Sequence, residues 1–340
     1  LADTAGVTVV GVVTQRRPQV NKSHLVGEGK LEEIKLACSH AHANVVIVDN
    51  ELSAVQVNTL DLELGIRVID RTELILQIFA RRASSAESQT QVELAQLEYL
   101  VKRIPTSEKQ QRFQGGIGMR GPGESPLQLR NDPMRRRIKE LKIKLEAIRQ
   151  KRVQTRGRRE WPMVSLVGYT NAGKSTLLNA LSGADAYVDD RLFATLDTKT
   201  RRVYLAENRQ IMLSDTVGFI RHLPHGLVAS FRSTLDVAAE ADLLLIVVDA
   251  GHSRIADHLA VVAETLREIK ADRVPTLIVM NKWDSVTDPT LQSALEAQLP
   301  EAVRISARTG AGLDQLKVAI MNRLHMSVTP ATNEERDDTA

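Results

Sequence analysis

Gly168-Tyr169-Thr170-Asn171-Ala172-Gly173-Lys174-Ser175 fits the pattern Gly-x-x-x-x-Gly-Lys-Ser/Thr of a phosphate-binding loop. Ahead of it, Pro162 to Val167 is apolar and short, the length of a buried strand. Behind it, Thr176 to Leu181 reads as the opening turns of a helix. The motif needs that context, because loop N–H groups and a helix N-terminus together form an anion cradle. Gly168 and Gly173 let the backbone approach a phosphate where a β-carbon would hinder it. Lys174 is placed to reach β- and γ-phosphates, and Ser175 to hold Mg²⁺ through its hydroxyl. Tyr169, Thr170, Asn171, Ala172 and Thr176 complete the stretch expected against the nucleotide.

Further stretches follow in the order that a phosphate-loop GTPase requires. Phe193-Ala194-Thr195-Leu196-Asp197 lies in a polar region where a switch loop is expected, with Thr195 offering its hydroxyl to Mg²⁺ and its N–H to the γ-phosphate. The strand Ile211 to Ser214 leads into Asp215-Thr216-Val217-Gly218, where Asp215 is expected to hold Mg²⁺ through water and the Gly218 N–H to sense the γ-phosphate. The continuous apolar runs Leu243 to Val248 and Thr276 to Met280 read as central parallel strands. The second ends in Asn281-Lys282-Trp283-Asp284. A carboxylate there accepts from guanine N1 and N2, whereas adenine would leave it unpaired, so the base is expected to be guanine. Ser306-Ala307-Arg308 follows a strand ending at Ile305 and is expected to close over guanine O6. The predicted ligands are GTP and GDP with Mg²⁺, and the predicted catalytic residues are Lys174, Thr195 and Gly218. Asn171 is also a candidate K⁺ ligand, the alternative being that it only braces the loop. Phe219 stands where a water-orienting Gln is found in Ras-like enzymes, and a phenyl ring cannot orient water. Intrinsic hydrolysis is therefore expected to be slow and to need an activator.

The N-terminal half is built differently. Val7 to Val13, Asn44 to Asp49 and Ile66 to Asp70 are β-rich, and helical runs follow from Leu31, after Ser53 and from Thr72 to Arg82. Alternating strands and helices predict a small parallel α/β layer. Gly27-Glu28-Gly29-Lys30 is a turn before a helix. Leu94, Leu97, Val101 and Ile104 recur at helical spacing up to Pro105, and Met134, Ile138, Leu141, Leu145 and Ile148 form an a/d seam. These predict an antiparallel helical hairpin around the glycine-rich loop from Gly115 to Gly123. Pro126 and Pro133 place the start of the second helix near Met134. From Arg135 to Arg159 that helix carries twelve bases against Glu140 and Glu146, an excess that suits a polyanion, RNA above all.

Composition narrows the class. The 340 residues are enough for two cores, and 43% hydrophobic with 26% charged residues is ordinary for a globular chain. With aromatics at 3%, stacking is not expected to be the main way of meeting nucleic acid. Cys38 is the only cysteine and is read as a core thiol; no intramolecular disulfide is possible. No apolar run reaches membrane-spanning length, so no membrane insertion and a cytoplasmic location are expected; a monomer is the expected form.

The whole pattern resembles the HflX family, within the translation-factor-related GTPases. The markers are Val26-Gly27-Glu28-Gly29-Lys30, Arg67 to Thr72, Gln91 to Leu97, Gly121-Pro122-Gly123-Glu124, Phe193 to Asp197 and Asp215 to Ile220. The resemblance implies attachment to the large ribosomal subunit and its rRNA, controlled by GTP, with a role in translation, ribosome splitting or rescue, or ribosome biogenesis. The alternative is a nucleotide-regulated binding module for RNA or another acidic partner, with little turnover. The family pattern is departed from at Glu87-Ser88-Gln89 and between Ser125 and Pro133. The expected organisation is an α/β domain over 1–86, a helical hairpin over 87–160, a GTPase domain with a mixed, mostly parallel sheet over 161–326, and a polar tail over 327–340.

Overall fold

The computed structural model describes residues 1–16, 25–103, 126–156, 160–183, 193, 195–219 and 232–326. The chain divides into two compact units, one of Leu1–Arg158 with Arg191–Asp197 and His222–Thr234, the other of Arg159–Asp190, Thr198–Arg221 and Leu235–Ala340. The first two sequence segments thus fold as one unit. The polar tail and the glycine-rich loop lie outside the described residues.

In the N-terminal unit, β1 (Val45–Val48) and β2 (Arg67–Asp70) pair in parallel, with Val45 opposite Arg67. Helices α1 (Glu28–His40) and α2 (Ala54–Leu64) flank them, and Leu31, Leu52, Leu60, Leu64 and Val68 form the shared core. Ser53 opens α2 with a complete capping box: its hydroxyl accepts from the Gln56 N–H, and the Gln56 side chain accepts from the Ser53 N–H. Helix α3 (Arg71–Arg82) buries Leu74, Ile75, Ile78 and Phe79. Asp70 caps it by accepting from the Glu73 N–H at 2.8 Å. Asp70 is fully buried, and its carboxylate also accepts from the Tyr99 hydroxyl at 2.7 Å and pairs with the Arg103 guanidinium. A buried charge is tolerated only when paired in this way.

Two expectations fail here. Val7 to Val13 forms no strand; Val9, Val10 and Val12 are more than half exposed. A β-rich run becomes a strand only when a neighbour offers its ladder, and no strand among the described residues pairs with it. Cys38 is half-buried rather than in the core.

Helices α4 (Ala86–Arg103) and α5 (Pro126–Arg156) pack against each other as the expected hairpin. Met134, Ile138, Leu141, Leu145 and Ile148 are all covered positions of α5, with Leu141 fully buried, so the seam holds. Its start does not: α5 begins at Pro126 and runs through Pro133. Proline at the first position of a helix loses no bond, because that N–H has no intrahelical partner anyway. Pro133 removes one bond, and the helix beyond it is braced along α4 by Arg137 with Glu93 at 2.7 Å and Lys142 with Glu98 at 2.8 Å.

The second unit is a six-stranded sheet in the order β4-β5-β3-β6-β7-β8. The strands are β3 (Met163–Gly168), β4 (Lys199–Ala206), β5 (Arg209–Asp215), β6 (Leu243–Asp249), β7 (Thr276–Asn281) and β8 (Val303–Arg304). Only the β4–β5 pair is antiparallel. The helices are α6 (Lys174–Ser182), α7 (Arg232–Ala239), α8 (Ile255–Glu268), α9 (Pro289–Gln298) and α10 (Leu313–Arg323). Val164, Leu166, Leu213, Leu243, Leu245 and Val279 are sealed from solvent, which is why the central strands read as unbroken apolar runs. Pairing of β3 between β5 and β6 brings their carboxyl ends to one edge, and the polar loops that follow them converge there.

Candidate nucleotide site

The glycine-rich turn leaves β3 at Gly168 and enters α6 at Lys174. Gly173 caps that helix at φ +88°, and a β-carbon there would lie 2.2 Å from Asn281 Nδ2. Only glycine fits. Lys174 is buried, and its ammonium donates to the carbonyls of Gly168 at 3.1 Å and Tyr169 at 2.9 Å. Burial lowers its pKa to about 8, against the pull of the Asp215 carboxylate. Ser175 donates its hydroxyl to Asp215 Oδ2 at 2.5 Å, and Asp215 is fully buried. A hydroxyl beside a carboxylate is a hard, all-oxygen donor pair of the kind Mg²⁺ accepts, so these residues fit that ion. No cluster of three or more His, Cys, Asp or Glu suits a metal among the described residues.

The segment after β5 closes on the turn. Thr170 donates its N–H to the Phe219 carbonyl at 2.9 Å, and Phe219 donates its own to Gly168 at 3.0 Å, a parallel bridge. Gly218 is thereby pressed against Thr170: an added β-carbon would sit 2.8 Å from Thr170 Cα and 3.0 Å from Lys174 Nζ. The Phe219 ring is buried, and Thr216 spends its hydroxyl on the Leu166 carbonyl at 2.6 Å. Thr216 therefore braces the sheet, and Val217 is buried beside it. On the far side, the Tyr169 ring stacks on His258 of α8 at 3.9 Å, with His252 4.2 Å beyond. Burial, with His252 and Arg254 nearby, lowers the His258 pKa.

The residues expected to read the base are assembled around Asn281. Its amide donates to the Ala172 carbonyl at 2.8 Å and accepts from the Ala307 N–H at 2.9 Å, joining the phosphate turn to the Ser306-Ala307-Arg308 loop. Lys282 donates to the Asn171 carbonyl at 2.8 Å. The Trp283 N–H bonds the Ile305 carbonyl at 3.0 Å and its ring packs on the core beneath. A hydrogen bond from Ser306 and the charge of Arg308, 2.6 Å away, keep the Asp284 carboxyl below the usual carboxylate range. Thr176 follows in the first turn of α6.

The 193–197 stretch groups with the N-terminal unit. Phe193 meets Phe79 edge-on at 4.8 Å, and Thr195 and Leu196 are buried. Asp197 accepts from the N–H of Ser84 at 2.9 Å and of Ser85 at 3.2 Å, and from both hydroxyls at 2.5 Å. Burial raises its pKa, but bonds from Ser84, Ser85 and Ser88 outweigh that and bring it down to about 2. In this structure Asp197 holds the entry to α4, and Phe193 packs beside it on Phe79. The family motif at 193–197 gave no hint of these partners, because Ser84 and Ser85 are small polar residues far away in sequence. Ala194 lies outside the described residues.

Three family models match the chain: "GTP-binding GTPase N-terminal" over residues 1–80, "GTP-binding GTPase Middle Region" over 82–159, and "50S ribosome-binding GTPase" over 163–282. The GTPase HflX of Caldanaerobacter subterraneus is 46% identical over 328 residues, covering 95% of this chain and 75% of that protein. The chain belongs to the HflX family of GTPases. The HflX of Escherichia coli is 45% identical over 338 residues, covering 98% and 79%. Among solved structures, SsGBP in complex with GDP is 28% identical with a TM-score of 0.52, covering 95% of this chain and 93% of that one. Like other HflX proteins, this chain is a GTPase, hydrolysing GTP to GDP and phosphate.

Proposed function

We propose that this HflX chain is a GTP-operated switch that attaches to the large ribosomal subunit and its rRNA, acting in ribosome splitting, rescue or biogenesis. The observation that carries the reading is the exposed basic surface of α5, Arg135, Arg136, Lys139 and Lys144, in a chain that also holds a guanine-reading GTPase unit. The description of the matched family model, a 50S ribosome-binding GTPase, supports the same partner. No described helix is long and apolar enough to cross a membrane. The site of action would be the cytoplasm, and the acting form a monomer.

In hydrolysis, Lys174 and the amides of Gly168 to Ser175 would position the phosphates. Mg²⁺ would be held by Ser175, with Asp215 acting through water and Thr195 joining by family resemblance; it supplies positive charge at the phosphates. The Gly218 N–H would meet the γ-phosphate once the Tyr169–Phe219 bridge yields. With Phe219 buried where a water-orienting side chain is wanted, turnover by the chain alone would be slow. Single-turnover hydrolysis with and without purified large subunits tests this: at least tenfold acceleration is expected from an activating surface. No acceleration at saturating subunits would refute it. Asn171 as a K⁺ ligand is tested by rates in KCl against NaCl at equal ionic strength; equal rates remove it.

A further inference from the structure

At the ends of β6 and β7, Asp249 lies directly beside Asn281 in the parallel ladder. Both of its carboxylate oxygens are used. Oδ1 accepts from the Gly251 N–H at 3.0 Å, and Oδ2 pairs with the Lys282 ammonium at 2.7 Å. That ammonium makes its second bond to the Asn171 carbonyl. Asn171 (φ 62°) and Lys282 (φ 60°) are both left-handed without being glycine, a backbone state unfavourable for residues with a β-carbon. One salt-bridged lysine therefore ties two strained turns together, and Asp249 is its only charged partner among the described residues.

The two loops are fastened at further points. The Ala250 N–H donates to the Asn281 carbonyl at 2.9 Å, and Ser285 donates its hydroxyl to the Lys282 carbonyl at 2.7 Å. Gly251 fits tightly against Ser285, where an added β-carbon would stand 2.9 Å from Oγ. The turn that begins at Lys282 continues directly into Asp284.

We propose that Asp249 is a positioning residue for guanine recognition: by holding Lys282 against the phosphate turn, it fixes the left-handed turn that presents the Asp284 carboxylate to the base. This rests on the assignment of Asp284 as the guanine reader. Without Asp249 the ammonium keeps a single neutral acceptor and the Lys282 turn loses its tether, so the angle of the carboxylate is no longer set. Inosine lacks the exocyclic amine that this carboxylate reads, so the ratio of GDP to IDP affinity measures the angle.

The test is a titration of the full chain with GDP and IDP, for wild type, Asp249→Asn, Asp249→Glu, Lys282→Met and the Asp249→Asn/Lys282→Met double variant, with thermal melts of each. Asp249→Asn is expected to weaken GDP about tenfold, the scale of one lost charge-assisted hydrogen bond, and to weaken IDP distinctly less. The double variant is expected to lose no more than Lys282→Met alone, because the two residues act as one unit. Asp249→Glu is expected to restore part of the ratio. A fall in GDP and IDP affinity by one common factor, with a lowered melting temperature, would make Asp249 merely structural and overturn the proposal. So would wild-type affinity in Asp249→Asn. If the wild type itself fails to prefer GDP to IDP, the Asp284 assignment falls, and this proposal with it.

Discussion

Lys174, proposed to carry the phosphate chemistry, sits in a setting that also makes it pH-sensitive. Its pKa of about 8 is far below the usual lysine value because the ammonium is buried. A phosphate arriving beside it favours the charged form, so above pH 8 nucleotide binding must take up a proton. GDP affinity is expected to fall as pH rises from about 8 to 9.5, and calorimetry in buffers of different ionisation heat should find close to one proton absorbed at pH 9 and almost none at pH 6.5. The sign for folding is opposite: without nucleotide, the fold gains stability as pH rises from about 8 towards the unfolded lysine value of ~10.4. Phe219 makes a second residue-level case. Its ring is buried, so Phe219→Ala is expected to destabilise by about 3 kcal/mol in a denaturant melt while changing GDP affinity little. The phosphate and base motifs were legible because each needs fixed residue types at fixed spacing. Asp249 was not, since an aspartate ending a strand looks the same whether or not a distant lysine returns to it.

Between residues and the whole chain, helix ends decide what can be coupled. Helix α4 starts at Ala86, directly after Ser84 and Ser85, whose N–H groups would otherwise be orphan donors, and Asp197 satisfies them from far along the chain. Asp197→Asn is expected to lower the stability of the N-terminal unit by ~1 kcal/mol, as for loss of a helix cap. Because the folded pKa of Asp197 is depressed to about 2, its contribution is present above the unfolded carboxylate value and lost as pH falls through about 2. Acid melts of wild type and Asp197→Asn should therefore differ at pH 5 and converge towards pH 2; parallel curves would contradict the cap. Helices and buried strands were legible at this scale because apolar spacing sets them: the α5 seam, the helix after Ser53 and the central strands all hold. Val7 to Val13 and the start of α5 were not. A strand depends on its neighbour, and whether a helix survives a proline depends on what braces it.

Across the whole molecule, a GTPase unit and an N-terminal unit bearing the basic α5 share one chain, and the 193–197 stretch of the GTPase motif series groups with the basic unit. Net charge of only +3 conceals this, since the excess is concentrated on one helix. Attachment to a polyanion through that helix should weaken steeply with salt. The most direct measurement is gradient co-sedimentation of the full chain with purified large ribosomal subunits in the presence of a non-hydrolysable GTP analogue, GDP or no nucleotide. The expected result is migration with the subunits in the GTP-analogue state and much less with GDP. Equal migration in all three states, or binding to naked RNA without binding to subunits, would contradict a GTP-operated ribosomal switch.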